Sequence, residues 1–199
     1  MKIISGILGL LGKALRRGIT VDGHADAISS ICAFLDSWRQ DSGTGPWWPQ
    51  WVTLDDLRTG RTGQPGPARP SWCYGGPGQA RAQHIAAIAT GDTRRQQIAE
   101  HALAACLSDP AQLSQITGTS LCHGWAGVYQ TAARAARDAL TPQISTRLPH
   151  LADMLTRHPR ARHEESPGLL EGQAGVALAL HTAAHTAPIS GWDTCLMIS

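Results

Sequence analysis

Three places in this chain share one shape, two residues, glycine, two residues, glycine, each opening an alanine-rich stretch. They are Cys73-Tyr74-Gly75-Gly76-Pro77-Gly78, Cys122-His123-Gly124-Trp125-Ala126-Gly127 and Leu170-Glu171-Gly172-Gln173-Ala174-Gly175. The leading glycines Gly75, Gly124 and Gly172 stand 49 and 48 residues apart, a period that belongs to helical repeat arrays. A weaker fourth copy, Ile4-Ser5-Gly6-Ile7-Leu8-Gly9, lies at the N-terminus, with Gly6 69 residues before Gly75. A repeat of this size is one supersecondary unit that must bury its apolar face against its neighbours. The glycine pair lets the chain turn sharply and lets backbone approach backbone. The residues just before each leading glycine are equivalent, so in a curved array they converge at one end.

Helical patterning fills most of the 199 residues. Ile4, Ile7, Leu8, Leu11 and Leu15 fall on one helical face, and Asp26 to Trp38 places Ile28, Ile31, Leu35 and Trp38 together. Gln79–Thr90 and Thr93–Leu107 read as a helix pair, with Gly91 suited to the left-handed closing position and Asp92 to the next cap. Gly127–Leu140, Gln143–Arg157 (kinked or broken at Pro149) and Gly172–Ala187 complete the series. Arg39–Pro70, rich in Gly, Pro and Trp, reads as an ordered insertion with a short strand at Trp51-Val52-Thr53 and with Trp47, Trp48 and Trp51 as packing anchors. The expectation is an all-α chain: one domain over residues 1–199, built of helical hairpins, with the loop 39–70 inserted.

Composition excludes several classes. The chain is 42% hydrophobic and 16% charged with a net charge of +2, which argues against disorder and against a nucleic-acid footprint. The opening apolar run is cut by Lys13, lacks a small-residue cleavage site and is too short to span a bilayer, which needs about 20 residues. Five cysteines, an odd number, argue against a disulfide framework and place the chain in the reducing cytosol.

Cys73, Cys122 and His123 form a two-sulfur, one-nitrogen set. Zinc favours such donors, and three protein ligands with an open fourth place is the arrangement of catalytic centres. A cysteine alone is more often inert core, which is the expectation for Cys32, Cys106 and Cys195. Cys73 and Cys122 differ in holding equivalent repeat positions, and this leaves a metal site and two core thiols as alternatives. Glu171, at the third equivalent position, reads as support for a ligand or as a helix-start carboxylate, and His24 or Glu171 as a fourth ligand of a structural clip. His84, His101, His150, His158, His163, His181 and His185 read as surface or packing residues.

The segments Ser71-Trp72-Cys73-Tyr74-Gly75-Gly76-Pro77-Gly78 and Ser120-Leu121-Cys122-His123-Gly124-Trp125-Ala126-Gly127 resemble the lanthionine synthetase C-like family, the lanthipeptide cyclases. Gly168-Leu169-Leu170-Glu171-Gly172-Gln173-Ala174-Gly175 resembles its last repeat, and Gly45-Pro46-Trp47-Trp48-Pro49 resembles its loop. The resemblance runs from about Gly6 to Ser199, as the C-terminal half of a cyclase. It implies an α/α toroid with Zn2+ held by Cys73, Cys122 and His123, the fourth place taking a cysteine thiol of a dehydrated precursor peptide. That thiol adds to a dehydroalanine or dehydrobutyrine and closes a thioether ring. Arg69 is implied to steady enolate charge and Tyr74 to belong to the site. The family's acid/base histidine falls on Ser5, which has no pKa near 7. The implied partners are therefore the precursor peptide and a separate N-terminal cyclase half or a dehydratase, with no nucleic acid and no transmembrane segment. The alternative is a zinc-clipped repeat module, or degenerate paralogue, that binds peptide without chemistry. Hydrolysis by a metal-bound water ranks last, because no general base beyond Glu171 presents itself.

Overall fold

The computed structural model describes residues 2–158, 166–188 and 190–199; His163 lies outside them. Nine helices occur among the described residues: α1 (Lys2–Arg16), α2 (His24–Ser37), α3 (Leu54–Thr59), α4 (Gly76–Thr90), α5 (Thr93–Cys106), α6 (Pro110–Leu113), α7 (Trp125–Asp138), α8 (Leu148–Arg157) and α9 (Gln173–His185). α1, α4, α7 and α9 pack in series as an inner row. α2, α5 and α8 each pack on the inner helix that precedes them, giving the hairpin repeats that the period requires.

Composition explains why the inner row can be so close. Ala80, Ala86, Ala126 and Ala132 are at most 1% exposed. Gly9 and Gly12 of α1 face α4: a Cβ on Gly12 would lie 3.1 Å from the backbone of Ala86. Backbone therefore approaches backbone where alanine already crowds. These contacts pair Gly9 with Ala82 and Gly12 with Ile85 and Ala86, so α1 and α4 run parallel. Between the rows sit Leu8, Leu35, Ile85, Leu103, Leu121, Trp125, Ile144 and Leu151, each 2% exposed or less, and each worth about 1.5–3 kcal/mol of burial. Gly91 takes the left-handed conformation expected of it (φ 71°) and closes α4. Asp92 caps α5 by accepting the Arg95 amide at 2.9 Å.

Several expectations are corrected. α4 and α7 start just after their leading glycines rather than at Gln79 and Gly127, while α9 starts at Gln173, next to the expected Gly172: Gly75, Gly124 and Gly172 are the N-caps of α4, α7 and α9. Pro149 begins α8 instead of kinking it, in the first turn where a missing N–H costs nothing. The strand expected at Trp51-Val52-Thr53 does not form. The two short strands are β1 (Gln40–Ser42) and β2 (Gly45–Trp47), antiparallel, with Gln40 opposite Trp47. Thr53 is the cap of α3, in a reciprocal box: its hydroxyl accepts the Asp56 amide at 3.0 Å and Asp56 accepts the Thr53 amide at 2.8 Å. Trp48 is the loop's anchor, buried with its indole N–H on the Leu35 carbonyl at 3.0 Å, whereas Trp51 is 56% exposed. Ile7 is also exposed, since α1 turns only its Leu8 side fully inward.

The chain's last turn, Trp192–Leu196, a 3-10 helix, returns across the inner row. The Trp72 indole donates to the Leu196 carbonyl at 2.8 Å and Arg81 Nε to the Ile198 carbonyl at 2.8 Å. Asp193 is fully buried and accepts from Gln130 Nε2 and from the Arg134 guanidinium.

Candidate metal centre

Each repeat carries a loop folded over the N-terminus of its inner helix, and the second glycine of the motif makes room for it. A Cβ on Gly78 would lie 1.9 Å from the Trp72 carbonyl oxygen, one on Gly127 1.9 Å from that of Leu121, and one on Gly175 2.0 Å from that of Leu169. The same contact recurs in all three units, so the glycine is a steric requirement of the loop. Each loop also leans on the next unit: the Trp72 side chain reaches Gly127, and the Leu121 side chain reaches Gly175.

Main-chain hydrogen bonds then join equivalent residues in series. The Cys73 amide donates to the Cys122 carbonyl at 3.3 Å, and the Cys122 amide to the Leu170 carbonyl at 2.9 Å. This brings the positions before the leading glycines to one end of the inner row, as the repeat predicted. There, one ligand atom from each of Cys73, Cys122 and His123 lies within 4.8 Å of the others. Cys73 Sγ stands 3.8 Å from His123 Nδ1. A tetrahedral centre with metal–sulfur near 2.3 Å and metal–nitrogen near 2.1 Å has sulfur–nitrogen edges of about 3.6 Å, so the donor set matches a zinc-sized ion.

Electrostatics separate the two thiols. Hydrogen bonding from the Cys122 thiol draws Cys73 down to about 5 against the opposing effect of burial, with help from His123 and the Ser71 hydroxyl. Cys122 is pushed up, first by the Cys73 thiolate that it serves and then by burial and Glu171. The pair thus keeps one thiolate ready. Cys73 is buried and Cys122 and His123 are half-buried, so the centre opens to solvent on one side. His123 presents Nδ1 to the sulfur and turns Nε2 to Glu171 Oε2 at 3.4 Å. The Glu171 carboxylate thus faces the outer nitrogen of the imidazole, the side from which an outer carboxylate orients a ligating histidine.

Of the other expected site residues, some lie beside this cluster and some do not. Glu171 supports His123 and does not join the three-residue group. His24 is elsewhere, its Nε2 2.9 Å from the Leu11 carbonyl. Ser5 and Gly6 share a crevice of about 120 Å³ with Cys73, Trp72 and Met197, so the N-terminal copy of the motif does converge on the same end. Tyr74 is 44% exposed beside the cluster. Arg69 is exposed and lies along a shallow groove with Trp51 and Gln115.

Ser71 was not foreseen. Its hydroxyl oxygen accepts the Gly75 amide at 2.8 Å and the Tyr74 amide at 3.2 Å, and stands 4.0 Å from Cys73 Sγ. The signal was present: Ser-x-Cys occurs in both cysteine-bearing repeats, at Ser71 and Ser120. All five cysteines are free thiols. Cys32 and Cys106 are buried as expected, and burial pushes the Cys106 thiol up to about 12. Cys195 is exposed rather than core.

No curated protein sequence matches the chain. Among solved structures, a chain described as "Nisin cyclase" superposes with a TM-score of 0.82 at 20% identity, covering 98% of this chain and 48% of that one. The helical-hairpin fold is therefore that of the cyclase toroid, and this chain spans about half the length of that structure. Residues 4–197 match the family described as lanthionine synthetase C-like protein. The repeat motif, the hairpin row and the match along nearly the whole chain agree: this protein belongs to the lanthionine synthetase C-like family.

Proposed function

We propose that Cys73, Cys122 and His123 hold Zn2+ and that the chain serves lanthipeptide cyclisation. The observation that carries this is the convergence of two thiols and an imidazole, from two separate repeats, with one thiol held at a depressed pKa. Zinc, when bound, supplies the Lewis acidity that turns an added cysteine thiol into a thiolate at neutral pH. The substrate is a dehydrated precursor peptide, whose cysteine sulfur adds to the β-carbon of a dehydroalanine or dehydrobutyrine while a proton is delivered to the α-carbon. Glu171 stands beside the outer nitrogen of His123, placed to orient the ring. The Ser71 hydroxyl supports the Cys73 thiolate and orders the loop that carries it. The crevice between Ser5, Trp72 and Met197 is where the peptide reaches the cluster. Tyr74, next to Cys73 in the chain, is exposed beside it, and Arg69, exposed four residues upstream, is assigned to steady enolate charge on the family resemblance.

The proton donor is the weak point of this chain's own residues. Ser5 stands beside Cys73 where the family has a histidine, and serine does not exchange a proton near pH 7. The reading therefore includes a separate N-terminal cyclase half that brings an acid. It favours the cytosol, where the five free thiols persist. The same serine favours one second reading, a zinc-clipped module that binds peptide without closing rings.

Zinc content of the purified chain, beside a Cys122→Ala variant, tests the centre. About one zinc per chain, lost in the variant, is expected. A folded chain that retains no zinc overturns the proposal. Ring closure on a dehydrated peptide, with and without an added N-terminal half, then separates cyclase from binding module.

A further inference from the structure

At the far end of the inner row from the cysteines, about 16 Å along α1 from Ser5 to Arg16 at 1.5 Å per residue, a second cavity opens. Its volume is about 480 Å³ and its walls are cationic: Lys13, Arg16, Arg17, Arg81, Arg134 and Arg137. Two side-chain carboxylates answer these six. Asp138 is shared between Arg81, at 2.6 Å, and Arg16, at 3.2 Å. Asp193 is taken by Arg134. Lys13 is only 6% exposed, yet among the described residues its ammonium donates to side-chain and main-chain oxygens that carry no charge, the Thr194 carbonyl and the Ser199 hydroxyl, each at 2.9 Å. Arg17 and Arg137 are exposed at the mouth and make no ion pair among the described residues.

Cations in the last turns of α1 and α7 are favoured by the helix dipoles, which accounts for Arg16 and Arg137. It does not account for Arg81, which stands in the second turn of α4 and is 1% exposed, nor for burying Lys13 among like charges. Burial and the neighbouring Arg17 both hold the Lys13 pKa below its usual value. The attraction of a multiply charged anion in the cavity offsets both effects by stabilising the charged ammonium.

We propose that this cavity binds a compact oligophosphate, of the size of a di- or triphosphate group, at a site independent of the metal centre. Planar guanidinium forks pair bidentately with phosphate oxygens, and here three separate elements, α1, α4 and α7, point such groups into one space. The cavity is large enough for a triphosphate and has the volume of ordinary small-ligand sites. The ligand comes either as a free inorganic oligophosphate or as the phosphate tail of a nucleotide.

Calorimetric titration of the chain with inorganic triphosphate, and separately with ATP, tests this. One saturable site per chain is expected, weakened by salt. Arg17→Ala/Arg137→Ala is expected to bind at least about tenfold more weakly, the scale of a lost charge-assisted hydrogen bond. These two side chains are exposed and unpaired, so melting should show the fold intact. Arg94→Ala, on an exposed face of α5, and Cys122→Ala should bind as the parent does, the latter whether or not the zinc reading holds. Equal affinity for both ligands assigns the site to the phosphates alone, and tighter binding of ATP adds a nucleoside contact. Absence of saturable binding to either overturns the proposal. So does a double variant that binds like the parent, or a preference for oligoglutamate over triphosphate.

Discussion

Gly127→Ala isolates the role of the repeated glycine. A Cβ there would sit 1.9 Å from the Leu121 carbonyl oxygen and 2.9 Å from its carbon, and carbons of this kind do not approach closer than 3.0 Å. The obstacle is main chain, so no side-chain rotation relieves it; the loop must retreat by about 1 Å from the helix. Forced overpacking of this kind costs about 1–3 kcal/mol, or more where the structure cannot yield. Alanine's better helix propensity returns less than about 1 kcal/mol in the first turn. The expected net loss is about 2 kcal/mol, or a fall of about 4–8 °C in melting temperature for a chain of this size. Gly6→Ala is the control. Its Cβ meets nothing within 4 Å inside α1, so the same substitution should raise stability by up to about 1 kcal/mol. The displaced carbonyl belongs to the residue before Cys122, so Gly127→Ala should also lose zinc affinity while Gly6→Ala keeps it. Thermal melts and zinc content of both variants decide it. A Gly127→Ala protein that melts with the parent and holds zinc would refute the steric argument for the motif.

Asp193→Ala should destabilise by about 3–5 kcal/mol, because it leaves the half-buried Arg134 guanidinium without its partner; urea unfolding measures it. Stability should also fall with acid before the carboxylates titrate. His84 accepts from Arg81 at Nδ1 and gives its Nε2 proton to Glu100, so it is neutral, and burial holds its pKa at about 3. The unfolded chain takes that proton first. The contribution is therefore complete above the usual value of 6.5 and is lost as pH falls toward 3, by at most about 1.4 kcal/mol per unit. His84→Gln should show a flatter profile between pH 6.5 and 5. In thiol labelling, Cys195 should react first, Cys122 only after chelation of zinc, and Cys32 and Cys106 only on unfolding; labelling of Cys122 at the Cys195 rate in the zinc-loaded chain would contradict the ligand assignment.

What was legible in the sequence was whatever the chain states locally and repeats. The glycine spacing disclosed the hairpin row, and the two cysteines beside it disclosed the cluster, because equivalent positions in a curved array must meet. Where local patterns compete, a capping pattern can outweigh strand propensity. Trp51-Val52-Thr53 has strand-like residues, yet Thr53 followed by Asp56 makes a capping box and the segment becomes a helix start. Contacts across the chain were not legible at all. Lys13 meets Thr194 and Arg81 meets Ile198 only because the C-terminal turn folds back over the inner row. No periodicity announces that return, and the cationic cavity depends on it.

The polarity of the repeat explains why the two candidate sites lie apart. The hydrogen bonds from Cys73 to Cys122 and from Cys122 to Leu170 align the starts of α4, α7 and α9, and the Gly9 and Gly12 contacts align α1 with them. All four inner helices therefore begin at one end. Their positive dipole ends gather where Cys73 is held as a thiolate, and helix N-termini favour that form of cysteine. Lys13, Arg16 and Arg137 stand in the last turns of α1 and α7, at negative ends that favour cations. A row of parallel helices thus sorts soft anionic donors to one end and guanidinium groups to the other, whatever each later binds. Loss of zinc through Cys122→Ala should accordingly leave the cationic end unchanged, whereas Asp193→Ala, which frees the turn lining that cavity, should alter anion affinity before it alters zinc content.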